Sequence, residues 1–158
     1  MNIKKAEPYW LTLTMRLILS LAIFLSLPAV GQKDKRIIDS FSVYSDIKIT
    51  IDKPADFSSH RKTIVVFYAL PNGNTTEQTM GKKIQPGDDW HFDIQHIKAQ
   101  TSFIRQQLKN QNFIVVYLEN SYKSWPAWKQ KHSGYRDTIP RLLDSVSSIF
   151  SKRKEVYL

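Results

Sequence analysis

The chain has 158 residues, of which 42% are hydrophobic and 23% charged, a balance that fits one modest globular domain and excludes a disordered chain. It has no cysteine, which rules out disulfide frameworks, thiolate zinc sites and cysteine nucleophiles. Lysine and arginine outnumber aspartate and glutamate 23 to 14, but the excess is spread along the chain, so a solvated basic surface fits better than nucleic-acid binding.

Lys4, Lys5 and Arg16 precede an almost wholly apolar run from Leu17 to Val30, and Pro28-Ala29-Val30-Gly31 offers small residues at a cleavage spacing. This is the layout of a signal peptide over residues 1–31, with Gln32 opening the mature chain and a secreted or periplasmic destination. The run is shorter than the roughly 20 residues that cross a bilayer, so no permanent membrane anchor is expected; a retained anchor is the competing reading. Met15-Arg16 would itself open a good signal, which makes Met1 to Thr14 an upstream extension. The domain proper occupies 32–158.

From Ser40 to Ile51 the residues Phe41, Val43, Ile47, Ile49 and Ile51 share one parity, broken only by Ser45. Period-two alternation predicts a strand with one wet face, at a sheet edge or in an antiparallel pair. Asp52 to His60, with Pro54 and two serines, reads as a loop. Thr63–Leu70 and Asn112–Leu118 are continuous apolar runs rich in valine and isoleucine, the pattern of strands covered on both faces in a parallel sheet. Between them Ile94, Ile97, Thr101, Ile104 and Leu108 step by three and four, a helical stripe that Phe92, Ala99 and Phe103 broaden. Asp88 and Asp89 precede it as capping carboxylates. Strand, crossover helix and strand make a βαβ unit. A second helix is predicted over Asp137–Ser151, with Ile139, Leu142, Leu143, Val146, Ile149 and Phe150 inward and Pro140 in the first turn. Lys152-Arg153-Lys154 suits its C-terminal end, and Glu155-Val156-Tyr157-Leu158 reads as the start of a further strand.

Three segments carry a family resemblance: Phe67-Tyr68-Ala69-Leu70-Pro71-Asn72-Gly73-Asn74-Thr75-Thr76-Glu77-Gln78-Thr79, then Gly87-Asp88-Asp89-Trp90-His91-Phe92-Asp93-Ile94-Gln95-His96-Ile97, then Tyr122-Lys123-Ser124-Trp125-Pro126-Ala127-Trp128. With the order of elements, the chain from about Ile37 to Leu158 resembles the N-terminal half of an α/β-hydrolase of secreted bacterial type. The resemblance implies an incomplete doubly wound α/β sheet with an N-terminal antiparallel-type strand. It also implies that the loop after the first buried strand, Asn72, Gly73 and Asn74, supplies oxyanion-hole N–H groups; a plain turn is the alternative, since Pro-Asn-Gly-Asn is also what a turn needs. The family's nucleophile sits in a Gly-x-Ser-x-Gly elbow, which occurs nowhere in these residues, so no catalytic residue is assigned. His132-Ser133-Gly134 reads as the polar turn before the second helix.

Asp88, Asp89, His91, Asp93 and His96 are close in sequence, but His91 and His96 would lie about 140° apart on a helix. No metal site and no cofactor are expected, and no Gly-x-Gly-x-x-Gly or Walker loop occurs. Trp90, Tyr122, Trp125 and Trp128 fall in predicted loops, where Trp125 and Trp128 either contact a substrate or seal the sheet edge. Glu119, at a strand end, is a substrate-contact candidate or a structural carboxylate tied to a loop N–H. Three functions follow: the N-terminal portion of a secreted hydrolase acting on an ester or acyl bond, inactive alone; a non-catalytic remnant; or a small exported module that binds glycans or a protein through its Trp-rich loop. A missing neighbour strand would also leave an open edge for self-association.

Overall fold

The computed structural model describes residues 34–83, 85–87, 96–150 and 154–158. The predicted signal segment, Asp88 to Ile94 and Lys152-Arg153 lie outside the described residues. Among the described residues the elements follow in the order β1 (Arg36–Val43), β2 (Ile47–Pro54), β3 (Lys62–Ala69), α1 (Thr76–Met80), α2 (Ile97–Gln107), β4 (Gln111–Asn120), α3 (Trp125–Lys131), α4 (Tyr135–Ser148) and β5 (Lys154–Tyr157). The strands form one mixed sheet ordered β1-β2-β4-β3-β5, so the fold is α/β. β1–β2 and β2–β4 pair antiparallel, whereas β3–β4 and β3–β5 pair parallel.

The single strand predicted over Ser40–Ile51 is two strands of a hairpin. The chain reverses at Tyr44-Ser45-Asp46, and both Tyr44 (φ 52°) and Ser45 (φ 60°) take the left-handed conformation that side chains with a Cβ rarely adopt. Val43 pairs with Ile47 and Phe41 with Ile49, so the three-residue turn preserves parity and the apolar alternation, interrupted only at Ser45, resumes in phase on its far side. The predicted loop from Asp52 also begins too early, because Asp52, Lys53 and Pro54 complete β2 opposite Ile38, Ile37 and Arg36.

Asp52 can stay in the strand because it is buried as an ion pair. Arg36 Nη1 donates to its Oδ2 at 2.5 Å and Arg105 Nη1 to its Oδ1 at 3.0 Å. Arg105 also donates to the Asp52 carbonyl at 2.7 Å and the Phe113 carbonyl at 2.9 Å, and both arginines pair with Asp34. Arg36 further donates to Ser102. Two cations and two anions thus tie β1, β2, β4 and α2 together. Beside them the Tyr117 phenol is pushed well above its usual range by burial and by the Asp52 charge.

Helices cover both faces of the sheet. On one, Ile47, Ile49, Ile51, Val65, Phe67, Ile114, Val116 and Leu118 pack with Trp128 of α3 and Leu142 and Val146 of α4. On the other, Leu70, Phe113, Val115 and Tyr117 pack with Met80 of α1, Ile97 and Ile104 of α2, and Leu108 just beyond its end. The parallel β3–β4 pair joined through α2 is the predicted βαβ unit. Thr101, the polar gap in the α2 stripe, is buried and satisfies its hydroxyl on the Ile97 carbonyl at 2.7 Å. Phe103 is 63% exposed, contrary to expectation, because two residues beyond Thr101 place it about 200° around the helix. Ala99 is exposed for the same reason.

α4 begins at Tyr135, two residues before its predicted start, which puts Pro140 inside the helix and not in its first turn. The first turn is closed by the Asp137 and Thr138 N–H groups, both donating to the Gly134 carbonyl at 3.1 Å. Ile149, predicted inward, follows the last helical residue and is 61% exposed beside Phe41, Val43 and Tyr44. The expected final strand is β5, set parallel to β3 from Thr63↔Lys154 to Val66↔Tyr157 and pinned by the Lys62–Glu155 ion pair at 2.6 Å.

Candidate functional site

β3 and β4 run parallel, yet the chain leaves them toward opposite faces: after β3 to α1 and α2, after β4 to α3 and α4. Where adjacent connections diverge in this way a crevice opens at the carboxyl ends of the strands, the usual place for a ligand in an open α/β sheet. Asn72, Gly73 and Asn74 follow β3, Glu119 is the penultimate residue of β4, and Trp125 and Trp128 lie on α3 just beyond it. All six therefore gather at one edge.

The loop after β3 is tied down on both sides. The Gly73 N–H donates to the Lys123 carbonyl at 2.8 Å, bridging the two diverging connections, and the Asn74 N–H donates to the Pro71 carbonyl at 3.2 Å. Gly73 sits at φ 87°, and a Cβ built there would meet nothing within 4 Å. Backbone conformation, not the close approach of a neighbour, calls for glycine here. Two of the three candidate oxyanion donors are thus engaged. Asn72 keeps an N–H with no partner among the described residues.

Glu119 is held by the short helix that follows the loop. Its Oε2 accepts from the Thr76 N–H at 2.9 Å and the Thr76 hydroxyl at 2.7 Å, with the Lys48 ammonium 3.9 Å away. This is the structural carboxylate weighed from the sequence. α1 itself was not foreseen, although Thr75 and Gln78 form a reciprocal capping box, a T-x-x-Q signal readable in the sequence. Partial burial tends to raise the Glu77 carboxyl, but hydrogen bonds from its own backbone, Lys48 and Thr75 prevail and hold it below its usual range.

Trp125 and Trp128 belong to a helix and not to a loop. Ser124 caps it, accepting from the Ala127 N–H at 3.3 Å, and Pro126 occupies the first turn. Trp128 is completely buried, so it fills the core and has no surface on which a substrate could stack. Its indole N–H donates to Asp46 Oδ2 at 2.8 Å, anchoring the β1–β2 turn. The His132 ring stacks on the indole, 4.2 Å between centroids and 13° between planes, and its Nε2 lies 2.9 Å from the same Asp46 oxygen. Trp125 is half-buried, edge-on to Trp128 at 5.6 Å.

A carboxylate–imidazole pair is the raw material of a general base, which needs its second ring nitrogen aimed at a substrate. Here that nitrogen, His132 Nδ1, is 2.8 Å from the Trp128 carbonyl. The pair is therefore a latch between α3 and the hairpin turn. His132-Ser133-Gly134 does form the turn before α4, as its sequence indicated. Beside the latch, Ser42, Asp46, Lys48, Glu119, Asn120 and Ser121 line an open depression of about 170 Å³.

Among the described residues no three histidine, aspartate or glutamate side chains are grouped to hold a metal ion. Of the acidic and histidine cluster noted in the sequence only His96 is described, as the exposed N-cap residue of α2, without a side-chain capping bond. No helix among the described residues is long and apolar enough to cross a membrane. No protein-family model matches the chain, and no curated protein or solved structure shows significant similarity to it.

Proposed function

We propose that the chain is the N-terminal portion of an exported α/β-hydrolase acting on ester or acyl bonds. It contributes the oxyanion loop and part of the substrate pocket, while nucleophile, acid and base lie in sequence beyond Leu158. One observation carries this reading. β5 runs parallel to β3 on the side away from β4, so its carboxyl end points to the same edge as Asn72. In a hydrolase of this type the nucleophile rides on a sharp strand-to-helix turn, and one oxyanion donor comes from a neighbouring strand-to-helix loop. A strand continuing from β5 would bring such a turn beside the Pro71–Asn74 loop. With the Gly73 and Asn74 N–H groups bonded internally, the loop's donor is Asn72 N–H, and one such donor is worth roughly 3 kcal/mol of barrier.

On this reading the chain, which has no Gly-x-Ser-x-Gly elbow, is expected to turn over no ester by itself. Its outer β5 edge, with Val156, Tyr157 and Leu158 exposed, then favours self-association. Reading the coding DNA past the Leu158 codon in all frames tests the assignment: a Gly-x-Ser-x-Gly within a few codons supports it, and its absence in every frame overturns it. Turnover of a chromogenic ester by the chain itself, above a boiled control, would contradict the assigned division of labour.

A further inference from the structure

From Asn120 to Arg136 the chain contains no carboxylate but four cations, Lys123, Lys129, Lys131 and Arg136. All four are exposed, and none makes an ion pair with a described residue. Elsewhere pairing is mixed: Arg36, Lys48, Lys53, Arg61, Lys62 and Arg105 each pair with an acid, whereas the exposed Lys35, Lys98, Lys109 and Arg141 make no ion pair with a described residue but lie scattered over the fold. The fold concentrates the cations from Lys123 to Arg136 on the loop, helix and turn that flank the carboxyl edge of the sheet.

Aromatic rings are interleaved with these cations. Tyr122, exposed, stands edge-on to His132 at 6.4 Å and directly precedes Lys123, which is held at φ 49°. Tyr135 packs against the core and carries both Lys129 Nζ at 5.8 Å and the Arg136 guanidinium at 5.6 Å from its ring centroid. A ring fixed by packing limits the wandering of the cations over it, lowering the entropic cost of using them. The stretch has no Leu, Ile, Val, Met or Phe, and so lacks the aliphatic wedge with which a protein enters a lipid surface. Three of its four cations are lysines, point charges rather than the planar forks that read phosphates and bases.

We infer that this basic, tyrosine-bearing surface binds an acidic polysaccharide, with a sugar ring against Tyr122 and carboxylates on the lysines. The inference does not rest on the hydrolase reading and survives its failure.

The test uses the full chain with polygalacturonate, and neutral dextran as reference, in a titration followed by calorimetry. Binding to polygalacturonate alone is expected, weakening as salt is raised. Combined Lys123→Gln, Lys129→Gln and Lys131→Gln should weaken it by at least about tenfold. Tyr122→Leu, which leaves the charge unchanged, should weaken it by roughly threefold. Far-UV circular dichroism confirms that the variants fold, and each single lysine variant should show a share of the loss. Four outcomes overturn the proposal: no binding to polygalacturonate; an equal loss on replacing the distant exposed lysines Lys35, Lys98 and Lys109; no effect of Tyr122→Leu; or tighter binding to phosphatidylglycerol vesicles or single-stranded DNA than to the polysaccharide.

Discussion

Two polar clusters clamp helices to the same sheet, one on each face, and they differ in how completely their groups are used. Around Asp52 both carboxylate oxygens, the carbonyl and two guanidinium groups are engaged, and the carboxylate is fully buried. Around Asp46 one carboxylate oxygen takes both the Trp128 N–H and the His132 ring, while the buried Oδ1 has no partner among the described residues. A saturated network has nothing left to offer a ligand. The unsaturated one stands beside Glu119, the Asn72 loop and the open depression, where spare hydrogen-bonding capacity can serve binding.

Removing one arm of the saturated cluster should do the most damage. Arg105→Leu leaves Asp52 buried with half its compensation and should cost about 3–5 kcal/mol in denaturant unfolding. A loss below about 1 kcal/mol would show that water reaches Asp52 and erase the contrast. Trp128→Phe keeps a ring in the core but withdraws the indole N–H from Asp46, leaving it only the His132 ring among the described residues, and should cost about 1–3 kcal/mol. Gly73→Ala tests the bridge between the loops: a methyl at φ 87° meets no neighbour, so the cost should be backbone strain alone, about 1–2 kcal/mol in thermal unfolding.

The smallest effect belongs to the rim. Lys62 is raised above its usual value chiefly by its hydrogen bond to Glu155, and Glu155 is lowered chiefly by the same bond. The Glu155 contribution is therefore present above the ordinary carboxylate range and fades as pH falls through its lowered value. That of Lys62 is present below the ordinary lysine range and fades as pH rises through its raised value. Glu155→Gln should remove both flanks of this dependence with little change in midpoint near neutrality, since the pair is solvent-exposed.

What the sequence made legible follows one rule: local periodicity was readable, distant pairing was not. β3, β4 and the inward faces of α2 and α4 stand out because β-branched runs and three–four spacing are local signals. The hairpin hid because its turn keeps the phase of its flanks. Pro54 and Asp52 read as loop because the cations that bury Asp52 lie at Arg36 and Arg105, on opposite sides of it in the chain. At the candidate site, Glu119 was singled out by its place at a strand end, and the loop after β3 only through the family resemblance. The Asp46–Trp128–His132 latch was not, since Asp46 and Trp128 lie 82 residues apart. Ser124 and Pro126, a cap followed by a first-turn proline, were the overlooked signal that Trp128 is helical.

The odd length of the hairpin turn makes this part of the chain intolerant of frame changes in an asymmetric way. An extra residue at Tyr44-Ser45-Asp46 that enters the ladder and slips β1 by one position along β2 would carry Phe41 and Val43 to the opposite side from Ile49 and Ile47, whereas a slip of two would restore them. Length variation at this corner should thus be tolerated in steps of two.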